Sequence, residues 1–258
     1  MRKKRLIYTL IFDNGNFMLS RNFRLQKVGD YNWINTHYNF EKIAFSIDEL
    51  IILNVTRGAK NKKLFIETIQ QVIKNVFVPI AIGGGITTVS DADDMFLSGA
   101  DKIVVNTALE NSPELIKLLV KKYGAQAVIA SIDFKTINGE LKSFNQNGVH
   151  LIDMNFIDYI RYIQDLGVGE VYLNSIQKDG TGQGYDMETI YSYLDSFNIP
   201  VIMAGGAGNI NHFLEVINNP HIEAVATANL FNFMGNALPD ARKKLLENDV
   251  LLARFKAL

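Results

Sequence analysis

A single closed (β/α)8 barrel spanning residues 1–258 is the fold this sequence predicts. Three observations point to it. Eight short β-rich runs alternate with longer helical patterns. Several of the runs are almost continuously apolar, as expected of parallel strands covered on both faces. Segments roughly 120 residues apart also answer one another, so four strand–helix units in the first half match four in the second. Half-barrel symmetry favours a closed barrel over an open doubly wound sheet. The competing explanation is that the pairs reflect only the common grammar of β–α–β units.

The runs come in order as LIYTLIF (6–12), ELIILNV (49–55), VPIAIGG (78–84), KIVVNT (102–107), AVIASID (127–133), EVYLNSI (170–176), IPVIMAGG (199–206) and EAVATAN (223–229). The first follows a basic head, MRKK, which invites comparison with a signal peptide. Its apolar run is short, lacks a small-residue cleavage pattern and meets Asp13 at once, so it reads as a strand. Apolar residues three and four apart predict helices over 64–76, 112–124, 155–167 and 187–197, with a last one over 238–249. Ser112 is placed to cap the second of these, with Pro113 in its first turn. The longest irregular regions are about 14–47 and 135–151. No linker or low-complexity segment divides the chain.

Composition narrows the function classes. Hydrophobic residues make up 48% and charged residues 21%, an ordinary globular balance. The formal net charge of −1 offers no general surface for nucleic acid or membrane. With no cysteine, disulfides, a thiol nucleophile and cysteine-ligated metals are excluded, and a cytoplasmic location is compatible. No apolar stretch approaches the ~20 residues of a membrane span. His37, His150, His212 and His221 show neither ligand spacing nor a paired carboxylate. No metal or other cofactor is expected.

Chemistry should sit at the C-terminal strand ends. Gly83, Gly84 and Gly85 follow the third run; Gly205 and Gly206, with Gly208, follow the seventh. Such clusters allow backbone N–H groups close to a phosphate, and two of them suit a ligand with a phosphate at each end. Tight strand-to-helix turns would produce the same pattern. Asp133 ends the fifth run and is the candidate acid–base group. Asp179, in QKDGTGQGYD, lies in a glycine-rich stretch that reads as a loop or lid. Asn54, Asn106, Thr107 and Asn174 end other strands and could bond a polar ligand or local backbone. At the opposite mouth Arg5, Glu49, Lys102 and Glu170 begin four strands. They could pair as a stability plug, form a gate or remain ordinary exposed charges.

The motifs DELIILNVT (48–56), IGGGI (82–86), GADKIVVNTA (99–108), GAQAVIASID (124–133), GVGEVYLNSIQKDGTGQGYD (167–186) and AGGAGNINHFLE (204–215) make the whole chain resemble the cyclase subunit of imidazole glycerol phosphate synthase, the HisF family. The resemblance implies a barrel of the ribulose-phosphate-binding type. It would receive ammonia from a glutaminase (HisH-like) subunit at its N-terminal face. Arg5, Glu49, Lys102 and Glu170 would then be an ammonia gate, and Asp133 a catalytic acid–base residue. Residues expected at the phosphate ends are Gly84, Gly85, Asn106, Thr107, Asp179, Gly180, Gly205, Gly206 and Asn229.

Several family positions are altered. The strand-one aspartate matches Ile11; the next carboxylate, Asp13, lies two residues on and could reach the site only with a rearranged backbone. The loop-one lysine falls at Leu19. Asn54, Asn174, Gln177 and Asn229 replace other family residues near the chemistry. Because these changes gather on the chemical face, the chain resembles diverged copies linked to surface-sugar synthesis. There the barrel would channel ammonia to a separate ATP-dependent amidotransferase that amidinates an N-acetylated nucleotide-linked sugar. The alternatives are a genuine cyclase of histidine biosynthesis, using Asp13 with Asp133, and a non-catalytic activator or scaffold of the glutaminase.

Overall fold

The computed structural model describes residues 3–37, 45–74, 76–228 and 236–255. Twelve strands form among them, numbered in chain order. The first half contributes β1 (Arg5–Asp13), β2 (Asn16–Arg21), β3 (Arg24–Gly29), β4 (Glu49–Asn54), β5 (Ile80–Gly83) and β6 (Lys102–Val105). The second contributes β7 (Val128–Ile137), β8 (Glu140–Asn145), β9 (His150–Leu151), β10 (Glu170–Ser175), β11 (Val201–Ala204) and β12 (Ile222–Thr227). Eight of them run parallel in the order β10-β11-β12-β1-β4-β5-β6-β7, and β7 pairs with β10 to close the barrel. These are the eight runs read from the sequence. In this order β1 and β7 stand opposite each other.

Alternation along each strand builds two apolar layers. Ile7, Ile51, Ala81, Val104, Ile129, Tyr172 and Ile202 point inward and fill the barrel. Leu6, Tyr8, Leu50, Ile103, Val128 and Val171 point outward to the helices. On the helix Lys62–Ile73, Phe65, Ile69 and Val72 are buried, and the Asn61 side chain accepts the Leu64 N–H at 3.0 Å as its cap. Thr88 and Asp91 form a reciprocal capping box at Val89–Leu97. Asn209 caps Ile210–Ile217.

Two local expectations change. Ser112 makes no side-chain capping bond to the helix Pro113–Tyr123; proline in the first turn removes one of the N–H groups a cap would serve. The helix expected over 187–197 is α-helical only at Met187–Ile190 and continues as a 3₁₀ helix over Tyr191–Ser196.

A larger correction concerns the stretches read as irregular. β1 runs past the barrel rim and turns back as β2, with Asp13 opposite Asn16. β7 does the same with β8, with Ile137 opposite Glu140. The two-residue turns are Asn14–Gly15 (φ +43° and +84°) and Asn138–Gly139 (φ +51° and +81°). Both positions of such a turn need positive φ, which Asn–Gly tolerates best. The hairpins rise from the first and fifth barrel strands, which occupy equivalent places in the two halves. β3 completes the first as a three-stranded flap and is followed by the helix Tyr31–His37.

Candidate functional site

The barrel's C-terminal mouth opens into a cavity of about 730 Å³. Strand ends, the glycine turns and both hairpins form its wall. Among the described residues, four charged side chains line it: Arg57, Lys60, Asp133 and Asp179.

Asp133 is buried beside Asn174, its register partner on β10. Asn106 Nδ2 donates to its carboxylate at 3.2 Å and to the Ser131 carbonyl at 3.0 Å. Burial pushes the Asp133 proton affinity up, and the negative charge of Asp179 adds to the effect; hydrogen bonds from Asn106 and Asn174 oppose it. The result is a pKa of about 7, where a carboxyl can both give and take a proton near neutrality.

Asp179 is also held upward by burial, against hydrogen bonds from the Ser20 hydroxyl and the Phe23 N–H. The glycine-rich sequence of its stretch predicts a loop or lid; in the structure it is pinned beneath the β2–β3 flap. The Asn22 N–H donates to the Asp179 carbonyl at 2.9 Å, and Asn22 Nδ2 donates to the Gln177 carbonyl at 2.8 Å. A Cβ on Gly180 would collide with the Ser20 carbonyl, so the glycine allows this close approach.

Ile11 lines the cavity. Asp13, read as the catalytic substitute, stays off the cavity wall because β1 continues straight into its hairpin instead of bending inward. Its negative charge acts on Lys60. The pair of buried carboxylates in the cavity is therefore Asp133 and Asp179. Deeper in, Thr9 Oγ1 and the Tyr172 hydroxyl are 3.2 Å apart.

Both glycine turns line the cavity, with Gly84 and Gly85 at φ +99° and +90°, and Gly205 and Gly206 at +83° and +113°. A Cβ at Gly84 would strike the Asn54 carbonyl, and one at Gly206 the Gly184 carbonyl. Gly206→Ala should therefore cost about 2 kcal/mol or more, through steric collision and positive φ together. A lowered urea midpoint with unchanged m would show it. Asn106, Thr107, Asn174 and Gly180 share the wall. Asn54 lines the wall as well, and its side-chain oxygen accepts the Thr56 N–H at 3.1 Å. Asn229 lies outside the described residues.

Sequence reading missed Lys60 and Arg57. Burial lowers the Lys60 pKa to about 8, partly offset by Asp13. Both cations follow the end of β4 directly, in NVTRGAK, and that placement was the available signal. Two histidines thought to lack carboxylates do have them: His150 sits 3.4 Å from Glu110 and His221 3.0 Å from Asp195. Among the described residues no group of three or more His, Asp or Glu could hold a metal ion, and no helix is long and apolar enough to cross a membrane.

At the N-terminal mouth the four charged residues meet. Arg5 bonds to Glu49 at 2.6 Å and to Glu170, and Lys102 contacts Glu49 at 3.0 Å and Glu170 at 3.2 Å. Between this ring and the cavity lies the packed barrel interior.

Fold and site together define a (β/α)8 barrel with a paired-carboxylate cavity at one mouth and a charged ring at the other. The model of the histidine biosynthesis protein family matches residues 29–236, and this chain belongs to that family. The protein of Parasynechococcus marenigrum (strain WH8102) provisionally named imidazole glycerol phosphate synthase subunit hisF2 is 39% identical over 100% of this chain and 96% of its own length. Imidazole glycerol phosphate synthase subunit HisF proteins of Chlorobaculum parvum (strain DSM 263 / NCIMB 8327) and Chlorobium phaeobacteroides (strain DSM 266 / SMG 266 / 2430) are each 35% identical over 97% of this chain and 98% of theirs. These full-length relatives overturn the expectation of a sugar-amidotransferase subunit. That expectation rested on the loss of an aspartate at Ile11, and the structure provides a second buried carboxylate at Asp179.

Proposed function

We propose that this chain is the cyclase subunit of an imidazole glycerol phosphate synthase in histidine biosynthesis. The observation that carries the reading is the pair of buried carboxylates at the C-terminal strand ends, with Asp133 poised near neutrality. The substrate is the phosphoribulosyl-formimino aminoimidazole carboxamide ribotide, a ligand with a phosphate at each end. The two glycine turns hold its ends in the manner of a ribulose-phosphate-binding barrel. Ammonia adds to the substrate, ring closure with loss of one water gives imidazole glycerol phosphate, and the aminoimidazole carboxamide ribotide leaves. Asp133 moves the protons of these steps, because its carboxyl is half-protonated near pH 7. Asp179 raises the proton affinity of Asp133 and fixes the flap over the cavity.

The relatives are named as subunits, which fits a partner enzyme. A glutaminase docking at the N-terminal mouth would cover the charged ring. It would also cover Phe77 and Leu97, 78% and 84% exposed, which lie on the segments leading into β5 and β6.

The test supplies the substrate with either glutamine plus the glutaminase subunit or an ammonium salt alone. Imidazole glycerol phosphate should form in both cases. Asp133→Ala should lower turnover by about 10²–10⁴, and Asp179→Asn should lower it while moving the pH–rate inflection down. Glutamine hydrolysis without product, together with no product from ammonium, would refute the reading.

A further inference from the structure

The cavity's charges are segregated, and the cationic side has no role in the chemistry above. Asp133 and Asp179 belong to β7 and the loop after β10; Arg57 and Lys60 belong to the loop after β4. Lys60 is the built member of the cationic pair. Its Nζ donates to the Asn54 carbonyl at 2.8 Å and the Thr56 carbonyl at 2.7 Å. An ammonium has three donors, so the two carbonyls fix its position and leave a third N–H. Neither bond is to a carboxylate, so the positive charge is not cancelled by a direct contact. The Lys60 stem packs over the Gly84–Gly85 turn: a Cβ on Gly85 would come within 2.7 Å of Lys60 Cδ. Arg57 differs in its setting: its Nη2 donates to the Phe23 carbonyl of the flap at 3.2 Å.

We propose that Lys60 is a substrate-binding residue whose ammonium, with the Gly84–Gly85 turn, forms a subsite for a phosphomonoester dianion. It rests on the reading of the cavity as a site for a ligand phosphorylated at both ends, and it makes those ends unequal. The end at Gly84–Gly85 is held by a fixed cation as well as by the turn. The reacting middle of the ligand then lies toward Asp133. A charge-assisted hydrogen bond to phosphate is stronger than a neutral one, so Lys60 should dominate the affinity of this end.

The experiment is a calorimetric titration of the full chain with inorganic phosphate. Lys60→Met should weaken binding by about tenfold or more, corresponding to ~1.4 kcal/mol. Lys60→Arg should restore most of it. Lys178→Met serves as the control, since Lys178 sits beside Gly206 but off the cavity wall. Equal binding by wild type and Lys60→Met overturns the proposal, as does loss of binding in Lys178→Met instead. Should Lys60→Met fail to fold, mass-spectrometric footprinting of the wild type decides. Phosphate must slow acylation of Lys60, and an unchanged rate overturns the proposal. Lys60-dependent phosphate binding without cyclase turnover would refute the function proposed above and leave this subsite standing. Turnover with Lys60-independent binding would do the reverse.

Discussion

Asp133→Asn should remove cyclase activity while making the protein more stable, and the stabilisation should depend on pH in a defined direction. Burial and the charge of Asp179 raise the folded-state pKa of Asp133 to about 7 from the ordinary 3.8. The folded state then binds more protons than the unfolded state between those two values, so stability falls as pH rises through that window. Above about pH 7 the folded protein carries an ionised, buried carboxylate at a cost of up to ~4 kcal/mol, taking 1.36 kcal/mol per pKa unit. Asparagine has no such cost and can keep hydrogen bonds to Asn106 and Asn174. The variant should melt higher than wild type at about pH 8, by an amount on the order of 10 °C for a chain of this size. The gap should close as pH falls toward about 4, where Asp133 is neutral in both states. Thermal melts of both proteins across this range check it. A constant gap would mean that Asp133 is not the group that titrates. Activity should fall by about 10²–10⁴ at every pH, which marks Asp133 as a residue retained for chemistry at the expense of stability.

How much of this was legible in the sequence follows from range. The eight barrel strands were, because each is a local apolar run bounded by turn residues, and parallel strands covered on both faces need little else. Asp133 was legible because a carboxylate ending an apolar strand is conspicuous. The flap and the second hairpin were carried by Asn14–Gly15 and Asn138–Gly139, a strong local signal, but the polar strands that follow lack a clean alternation. β3, RLQKVG, buries only Gly29. The role of Asp179 was not legible at all. Its burial comes from Ser20 and Phe23, 159 and 156 residues away along the chain, and no local pattern encodes contacts of that separation. The same holds for Asp13. Its distance from Asp133 in sequence says nothing about which side of the rim it occupies; the uninterrupted pairing of β1 with β2 decides that. The four charges at the N-terminal mouth were legible from their places at strand starts, but not that they meet: there two carboxylates are shared between two cations.

That sharing leads to the second large expected effect, at Glu49. One of its oxygens takes both Arg5 and Lys102, at 2.6 and 3.0 Å, and Glu49 is only 2% exposed. Glu49→Ala leaves two cations on Glu170 alone. Removing one partner of a buried ion pair costs about 3–5 kcal/mol, because the surviving charge is left uncompensated. Arg5 and Lys102 keep side-chain exposures of 22% and 20%, so solvent should reduce this to about 2–4 kcal/mol. Burial already lowers the Lys102 pKa, and the charge of Glu49 opposes that. Without Glu49 the lysine should lose its proton more readily. The unfolded state then binds more protons than the folded one over a wider range, so the stability of the variant should recover as pH rises toward the ordinary lysine value. Lys102→Met should rescue Glu49→Ala at neutral pH by returning the ring to one cation and one anion, whereas either change alone destabilises. Urea unfolding of the four proteins tests the coupling. The same set separates a gate from a plug. If the ring passes ammonia inward, the rescued double variant should keep ammonium-driven turnover and lose glutamine-driven turnover. If the ring only closes the barrel, the two rates should fall or survive together.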